Sequence, residues 1–520
     1  MRRRFYNAVS DTPKCMIIEA LEDGLTVSLE GSMWASFIEY STDYITWNEL
    51  QIEQYTTEIN KGEQILFRGK YSYTAVDYIK FVISKNCELK GSCMYLLGDS
   101  IAIKNNSLAN YDGAFTQLFG NCTTIKSVSS GFLPATILAS NCYSYMFQGC
   151  TSLTQVPSLP ATTLASNCYN SMFEGCTSLT IAPTLPVTTL ATNCYNSMFK
   201  GCTSLTQAPS LPATTLADYC YYAMFNGCTN LTTAPTLPAT TLRNSCYDSM
   251  FYGCTSLTTA PALPATTLAS SCYKSMFSDC TSLTTVPTTL PAMTLASYCY
   301  QDMFYRCTSL TTAPELPATT LATQCYYRMF QNCSKLNYIK MLATDISASG
   351  CLGAWVYGVA SSGTFVKNPE ATWDVVGHSG VPSGWTVKFD GEEDEGTYDE
   401  YFGQIPPESK TFGFPLYITV PFKSEDDYAL YYVKNNDSIV KQLWDYCWEN
   451  SEIVSDSFNV AHKFNNIGDV FINGIKVTLD GESHNGVSNF YIFVSGENLE
   501  GTIECGISHD GELIDIMVIK

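Results

Sequence analysis

The sequence predicts a solenoid of about nine coils, each one short strand plus one helix, between an N-terminal all-β cap and a C-terminal α+β domain. Two cysteine columns and a recurrent proline corner predict it. The first column is Cys142, Cys168, Cys194, Cys220, Cys246, Cys272, Cys299, Cys325 and Cys351. The second is Cys150, Cys176, Cys202, Cys228, Cys254, Cys280, Cys307 and Cys333. Both step by 26 residues, with a single step of 27. A fixed period of this size means that each unit buries its apolar face only against its neighbours.

Residues 1–105 read as a strand-rich cap domain. Thr26–Leu29, Phe37–Tyr40, Gln64–Phe67 and Ile79–Ser84 are β-prone runs separated by turn pairs such as Asp23-Gly24, Lys61-Gly62 and Arg68-Gly69. Placed here, a small antiparallel domain covers the open end of the solenoid, which otherwise exposes an unpaired edge. Met1 is followed by three arginines, but Phe5 to Lys14 supply no apolar core, so no secretory signal is expected. No apolar run reaches the roughly 18 residues of a membrane span.

The solenoid occupies residues 106–389. Residues 108–128 form a degenerate first coil, with Ala114 for the first cysteine, Leu118 and Phe119 for Met-Phe, and Cys122 for the second cysteine. In a full coil Cys142, Met146 and Cys150 fall four apart, so on a helix they share a face that Tyr143 and Phe147 widen. Asn141, Asn167 and Asn193 are placed to cap that helix, and the glycine before the second cysteine to end it. The T-S-L-T-x-A-P segment alternates, turning Leu153 and Val156 inward, and reads as one strand that Pro157 and Pro160 stop. Cys351 to Val359 keep the pattern with Trp355 and Val356 substituted, a bulkier last unit closed by Val381 to Trp385.

The runs MFEGCTSLT, LPATTLA and GTFVKNPEATWDVVGHSGVPSGWTV resemble the BspA-like leucine-rich repeat family of anaerobic bacteria and their phages, over about residues 100–387. The resemblance implies a leucine-rich repeat solenoid whose work is adhesion and surface recognition.

Beyond it, residues 390–408 form an acidic linker whose spacing does not match a calcium-binding EF-hand. Residues 409–520 read as an α+β domain. Its apolar runs are Leu416–Val420, Phe490–Val494 and Ile514–Ile519, with Ile439, Leu443, Cys447 and Val440, Trp444, Trp448 at helical spacing between them. This domain is the expected anchoring or oligomerisation module.

Charge narrows the partners. The net charge is −21, and residues 390–520 carry 25 acidic side chains against 7 lysines. Nucleic acid is not an expected partner, because phosphate recognition needs clustered Lys and Arg. The 23 cysteines read as reduced, buried packing thiols: eight apart on one helix, two of them sit about 12 Å apart. Helices stacked at roughly 8–10 Å are also too far apart for bridges between coils. Neither the Cys pairs nor the histidines that zinc requires occur in the repeats. The four histidines, His378, His462, His484 and His509, sit in no catalytic motif, so neither an enzyme nor a cofactor is expected.

What remains is binding. The repeat varies at Asn170, Asn196, Tyr222, Asp248, Lys274, Gln301 and Tyr327, and four residues later at Glu174, Lys200, Asn226, Tyr252, Ser278, Tyr305 and Gln331. On a helix each pair stacks on one outer face, a candidate site for glycan or protein. The rival is the strand file Gln155, Ile181, Gln207, Thr233, Thr259, Thr285 and Thr312, a nearly uncharged ribbon suited to a repeating polymer. The expectation is a non-catalytic virion fibre or decoration protein that touches a protein or glycan of a cell surface. Its terminal domains are expected to hold other virion proteins or further copies. A bacterial surface adhesin for matrix or mucin, and the accessory solenoid of a carbohydrate-active enzyme, are the alternatives.

Overall fold

The computed structural model describes residues 14–32, 37–70 and 78–391, together with strand backbone between 410 and 519. The chain divides into two compact units, Met1–Glu392 and Glu393–Lys520.

The first unit opens with β1 (Met16–Ala20), β2 (Val27–Ser32), β3 (Phe37–Ser41), β4 (Asn48–Glu49), β5 (Gln64–Lys70), β6 (Tyr78–Ile83), β7 (Cys87–Gly91), α1 (Ser100–Asn105) and β8 (Ile125–Val128). Six of the strands form a sheet in the order β4-β3-β5-β1-β7-β8, while β2 and β6 pair separately. β7 and β8 run parallel, and Ser127 of β8 bridges in parallel to Gln155. The sheet thus runs directly into the repeats, and one apolar core extends from Met16 to Trp385.

In the repeats each strand shrinks to one bridged residue per coil. Ile181, Gln207, Thr233, Thr259 and Thr285 bridge in series, and Thr312 bridges to Tyr338. The file then widens into a parallel three-stranded sheet of β9 (Tyr338–Met341), β10 (Thr364–Lys367) and β11 (Thr386–Phe389). The single extra residue falls at the proline corner, where Thr289 bridges to Glu315.

The helix expected between the cysteine columns does not form. Its place is taken by a ladder of turns. Met172 N–H reaches back three residues to Tyr169 C=O (3.2 Å), whereas Tyr169 N–H and Phe173 N–H donate to Cys194 and Met198 of the next coil (3.0 and 2.9 Å). This alternation runs from Asn167 to Cys176 and pairs every amide along it. Every fourth residue must then enter the left-handed region, and Asn141, Tyr145, Gly149 and their counterparts to Asn332 lie at φ 47–74°.

Spacing explains why turns win. Phenylalanines from Phe119 to Phe330 stack ring on ring at 5.6–5.8 Å and 3–9°. Tyrosines from Tyr143 to Tyr326 stack beside them at 5.7–5.9 Å. Packed helices need about 8–10 Å between axes, so coils this close exclude them. At the far end Trp355 lies against Tyr326 and Phe330, its indole N–H bonded to Gly380 C=O at 2.9 Å.

The glycine column of the turn ladder yields a prediction. A Cβ on Gly201 would meet Gly175 Cα at 3.8 Å, an ordinary contact, so backbone strain alone sets the cost. Asp279, Arg306 and Asn332 already occupy this left-handed position in other coils. Gly201→Asn is therefore expected to cost about 1 kcal/mol or less, and Gly201→Val about 2 kcal/mol, in urea melts.

The second unit contains β12 (Lys410–Phe412), β13 (Leu416–Thr419), β14 (Leu430–Lys434), β15 (Glu452–Ser455), β16 (Val460–Phe464), β17 (Asp469–Ile472), β18 (Ile475–His484), β19 (Asn489–Gly496), β20 (Leu499–Ser508) and β21 (Asp515–Ile519). They form one antiparallel sheet, ordered β12-β13-β14-β21-β20-β19-β18-β16-β15 with β17 also on β18. The helix expected around 439–448, and the acidic linker from residue 392 onward, lie outside the described residues.

Candidate recognition surface

Gln155, Ile181, Gln207, Thr233, Thr259, Thr285 and Thr312 are all exposed and lie on the bridge file, one per coil. The residue before each is a threonine, and in three coils its hydroxyl ties one coil to the next. Thr154, Thr232 and Thr284 donate their hydroxyls to Lys126, Thr206 and Thr258 carbonyls of the preceding coil at 3.0, 3.2 and 3.3 Å. In the Thr232-Thr233 and Thr284-Thr285 doublets one hydroxyl is tied to the neighbouring coil, and the other stands on the exposed file. Beside the file, Thr233 and Thr259 edge a shallow groove of about 450 Å³ floored by Ala234, Pro235, Ala260 and Pro261.

A second threonine file was not anticipated. Thr163, Thr189, Thr215, Thr241, Thr267, Thr294 and Thr320 are exposed, and Thr189–Thr215, Thr241–Thr267 and Thr267–Thr294 bridge in parallel. Two adjacent exposed residues break the alternation by which a strand is recognised. The signal was the T-T doublet itself, recurring at the coil period between buried leucines.

The variable positions do not share a helical face, because there is no helix. Asn170, Asn196, Tyr222, Lys274, Gln301, Tyr305 and Tyr327 are half-buried on the turn ladder, and Tyr252 is exposed. Asp248 and Ser278 are buried. Their partners lie along the stack rather than in solvent. Lys200 pairs with Glu174 at 3.0 Å. Arg328 pairs with buried Asp302 at 2.7 Å, and its guanidinium lies over Tyr305 and Tyr327 at 5.2 and 5.4 Å. This side of the solenoid is a seam between coils.

Asp248 is the costly member of the seam. Burial pushes its carboxyl up from 3.8 to about 6, although Ser249 Oγ donates to it at 2.8 Å and Lys274 attracts the charge. A folded value above the unfolded one favours the protonated form, so this contribution to stability is full below pH 3.8 and lost as pH rises through about 6. Asp248→Asn is expected to raise stability at pH 7 by about 1–3 kcal/mol and to flatten the pH 4–7 stability profile measured by denaturant melts.

The 21 cysteines whose side chains are described are all buried and unbridged. In the second column each thiol donates to a phenylalanine carbonyl of the preceding coil, as Cys176 Sγ does to Phe147 at 3.1 Å and Cys202 Sγ to Phe173 at 3.1 Å. Those carbonyls also accept an amide within their own turn, so a small buried donor completes them. Burial pushes Cys176, Cys228 and Cys272 up to about 12, which keeps the thiolate needed for exchange scarce. Among the described residues, no three His, Cys, Asp or Glu side chains converge as a metal set, and no helix is long and apolar enough to cross a membrane.

Comparison with protein families matches residues 100–232 and 193–337 to the BspA type leucine-rich repeat region, in six copies. Comparison with curated proteins and with solved structures finds no match.

Proposed function

Since the repeat region of this chain belongs to the BspA-type leucine-rich repeats, we propose that the protein is a non-catalytic recognition scaffold, carried on a virion as a fibre or decoration, whose strand file contacts a surface glycan of a cell. Repeats of this type go with surface recognition and adhesion. One observation carries the choice of face: the uncharged file from Gln155 to Thr312 is exposed at every coil and held in register by parallel bridges and threonine-to-carbonyl bonds. A polymer with its own repeat meets many weak contacts at once on such an array, and multivalency multiplies them. The seam residues, engaged with one another, offer less. Buried reduced thiols support assembly inside a reducing cell, which favours a virion over an exported adhesin.

The test is binding of the full chain to purified surface polysaccharides. Thr233→Lys/Thr259→Lys/Thr285→Lys is expected to abolish retention, while Asn170→Ala/Lys274→Ala leaves it intact; the reverse pattern overturns the choice of face. Mass spectrometry of purified virions and of outer-membrane fractions decides the carrier, and recovery from the membrane fraction alone rejects the virion.

A further inference from the structure

A second site lies in the N-terminal part of the molecule, independent of the repeats. Where β3, β5, α1 and the start of β1 meet, a cleft of about 670 Å³ is lined by Lys14, Phe37, Glu39, Arg68, Tyr95 and Lys104. Three cations face one carboxylate, in a protein whose net charge is −21. Arg68 is held in place: its Nε donates to Glu39 Oε2 at 2.8 Å, and its guanidinium lies over the Trp47 ring at 4.0 Å. Glu39 thus answers Arg68. Lys14 and Lys104 are exposed and have no ion-pair partner among the described residues. Beside them, Phe37 is 42% exposed and Tyr95 is half-buried, so the cleft also offers aromatic surface.

From this geometry we propose that the cleft binds an acidic sugar, a pyranose bearing a carboxylate. Two ammonium groups with no carboxylate partner among the described residues supply the charge complement, as compact donors that suit a single carboxylate. A pyranose ring has an apolar C–H face that lies on aromatic side chains, and Phe37 and Tyr95 provide them. The volume is that of an ordinary small-ligand site, with room for one or two sugar rings. Arg68 already gives its Nε donor to Glu39, so the two lysine ammonium groups carry the cleft's uncompensated charge among the described residues. The cleft belongs to the sheet that leads into the solenoid, so an acidic residue of a surface glycan is captured by the same molecule whose strand file contacts the polymer.

The experiment is isothermal titration of the full chain with glucuronate, glucose and acetate at low salt and at high salt. Glucuronate is expected to bind saturably in the millimolar range and more weakly at high salt, and glucose and acetate not to saturate. Lys14→Glu/Lys104→Glu is expected to weaken glucuronate binding at least about tenfold with an unchanged near-ultraviolet circular dichroism spectrum. Lys14→Gln/Lys104→Gln serves the same purpose if the charge reversal disturbs folding. Phe37→Ser, which leaves both lysines in place, is also expected to weaken glucuronate binding. Absence of saturation, equal affinity in the double variants, or acetate binding as well as glucuronate overturns the proposal. The triple lysine variant of the strand file is expected to bind glucuronate normally, which separates this site from the polymer site.

Discussion

Phe225→Ala is expected to cost about 4 kcal/mol, the upper range for an aromatic removed from a core. Phe225 is fully buried between Phe199 and Phe251, with ring centroids 5.7 and 5.6 Å away and planes within 8°. Neither neighbour can close the gap, because each is itself held by the next ring in the file and by the amide bonds of the turn ladder. A cavity that cannot collapse costs the most. Since each coil touches only its neighbours, the damage also falls on coupling along the stack. Urea unfolding followed by circular dichroism is expected to show a lower midpoint and a broadened or split transition. A loss below about 1 kcal/mol with an unchanged single transition would mean that the rings are not a packed file.

The second large effect is kinetic. At pH 8 the native protein is expected to present at most two thiols to a disulfide reagent within minutes, and all 23 once denatured without reductant. The allowance of two covers Cys447, which lies outside the described residues, and Cys505, for which only the strand backbone of β20 is described. For the others, a thiol such as Cys228, raised to about 12, is about one part in ten thousand thiolate at pH 8 even before access is considered. Reaction must then wait for the coil to open and the thiol to regain its ordinary acidity, and opening at about 5 kcal/mol slows it several thousandfold. Several fast-reacting thiols per native chain would contradict the buried file. Thiols that stay silent after denaturation would reveal disulfides.

Much of this molecule was legible in its period. The two cysteine columns, the Met-Phe pair and Leu153 are buried where the coil spacing turned them inward, and the bridge file falls on the positions from Gln155 to Thr312. The error lay in converting spacing into a helix. Residues four apart share a face of an α-helix, but they also share a side of a ladder of four-residue turns, and Cys142, Met146 and Cys150 satisfy both. The discriminating evidence was in other residues. Asn141, Asn167 and Asn193 with the glycine column place left-handed-tolerant types eight residues apart at both ends of the ladder, a pattern no helix needs. The seam followed from the same error, since exposure was inferred for side chains that lie between coils. β1 went unread for another reason: Met16-Ile17-Ile18 is buried in continuous run in a central strand, so it lacks the alternation that marks an edge. The cationic cleft could not be read at all, because Lys14, Arg68 and Lys104 are brought together only by the fold.

A high-resolution map of the intact chain tests the stacked-coil architecture most directly. It should show the phenyl rings from Phe147 to Phe330 in a single file at 5.6–5.8 Å, with unbridged thiols beside them and turns in place of helices. A helix between the cysteine columns, a sulfur–sulfur bond between coils, or coils that do not lie ring on ring would contradict it.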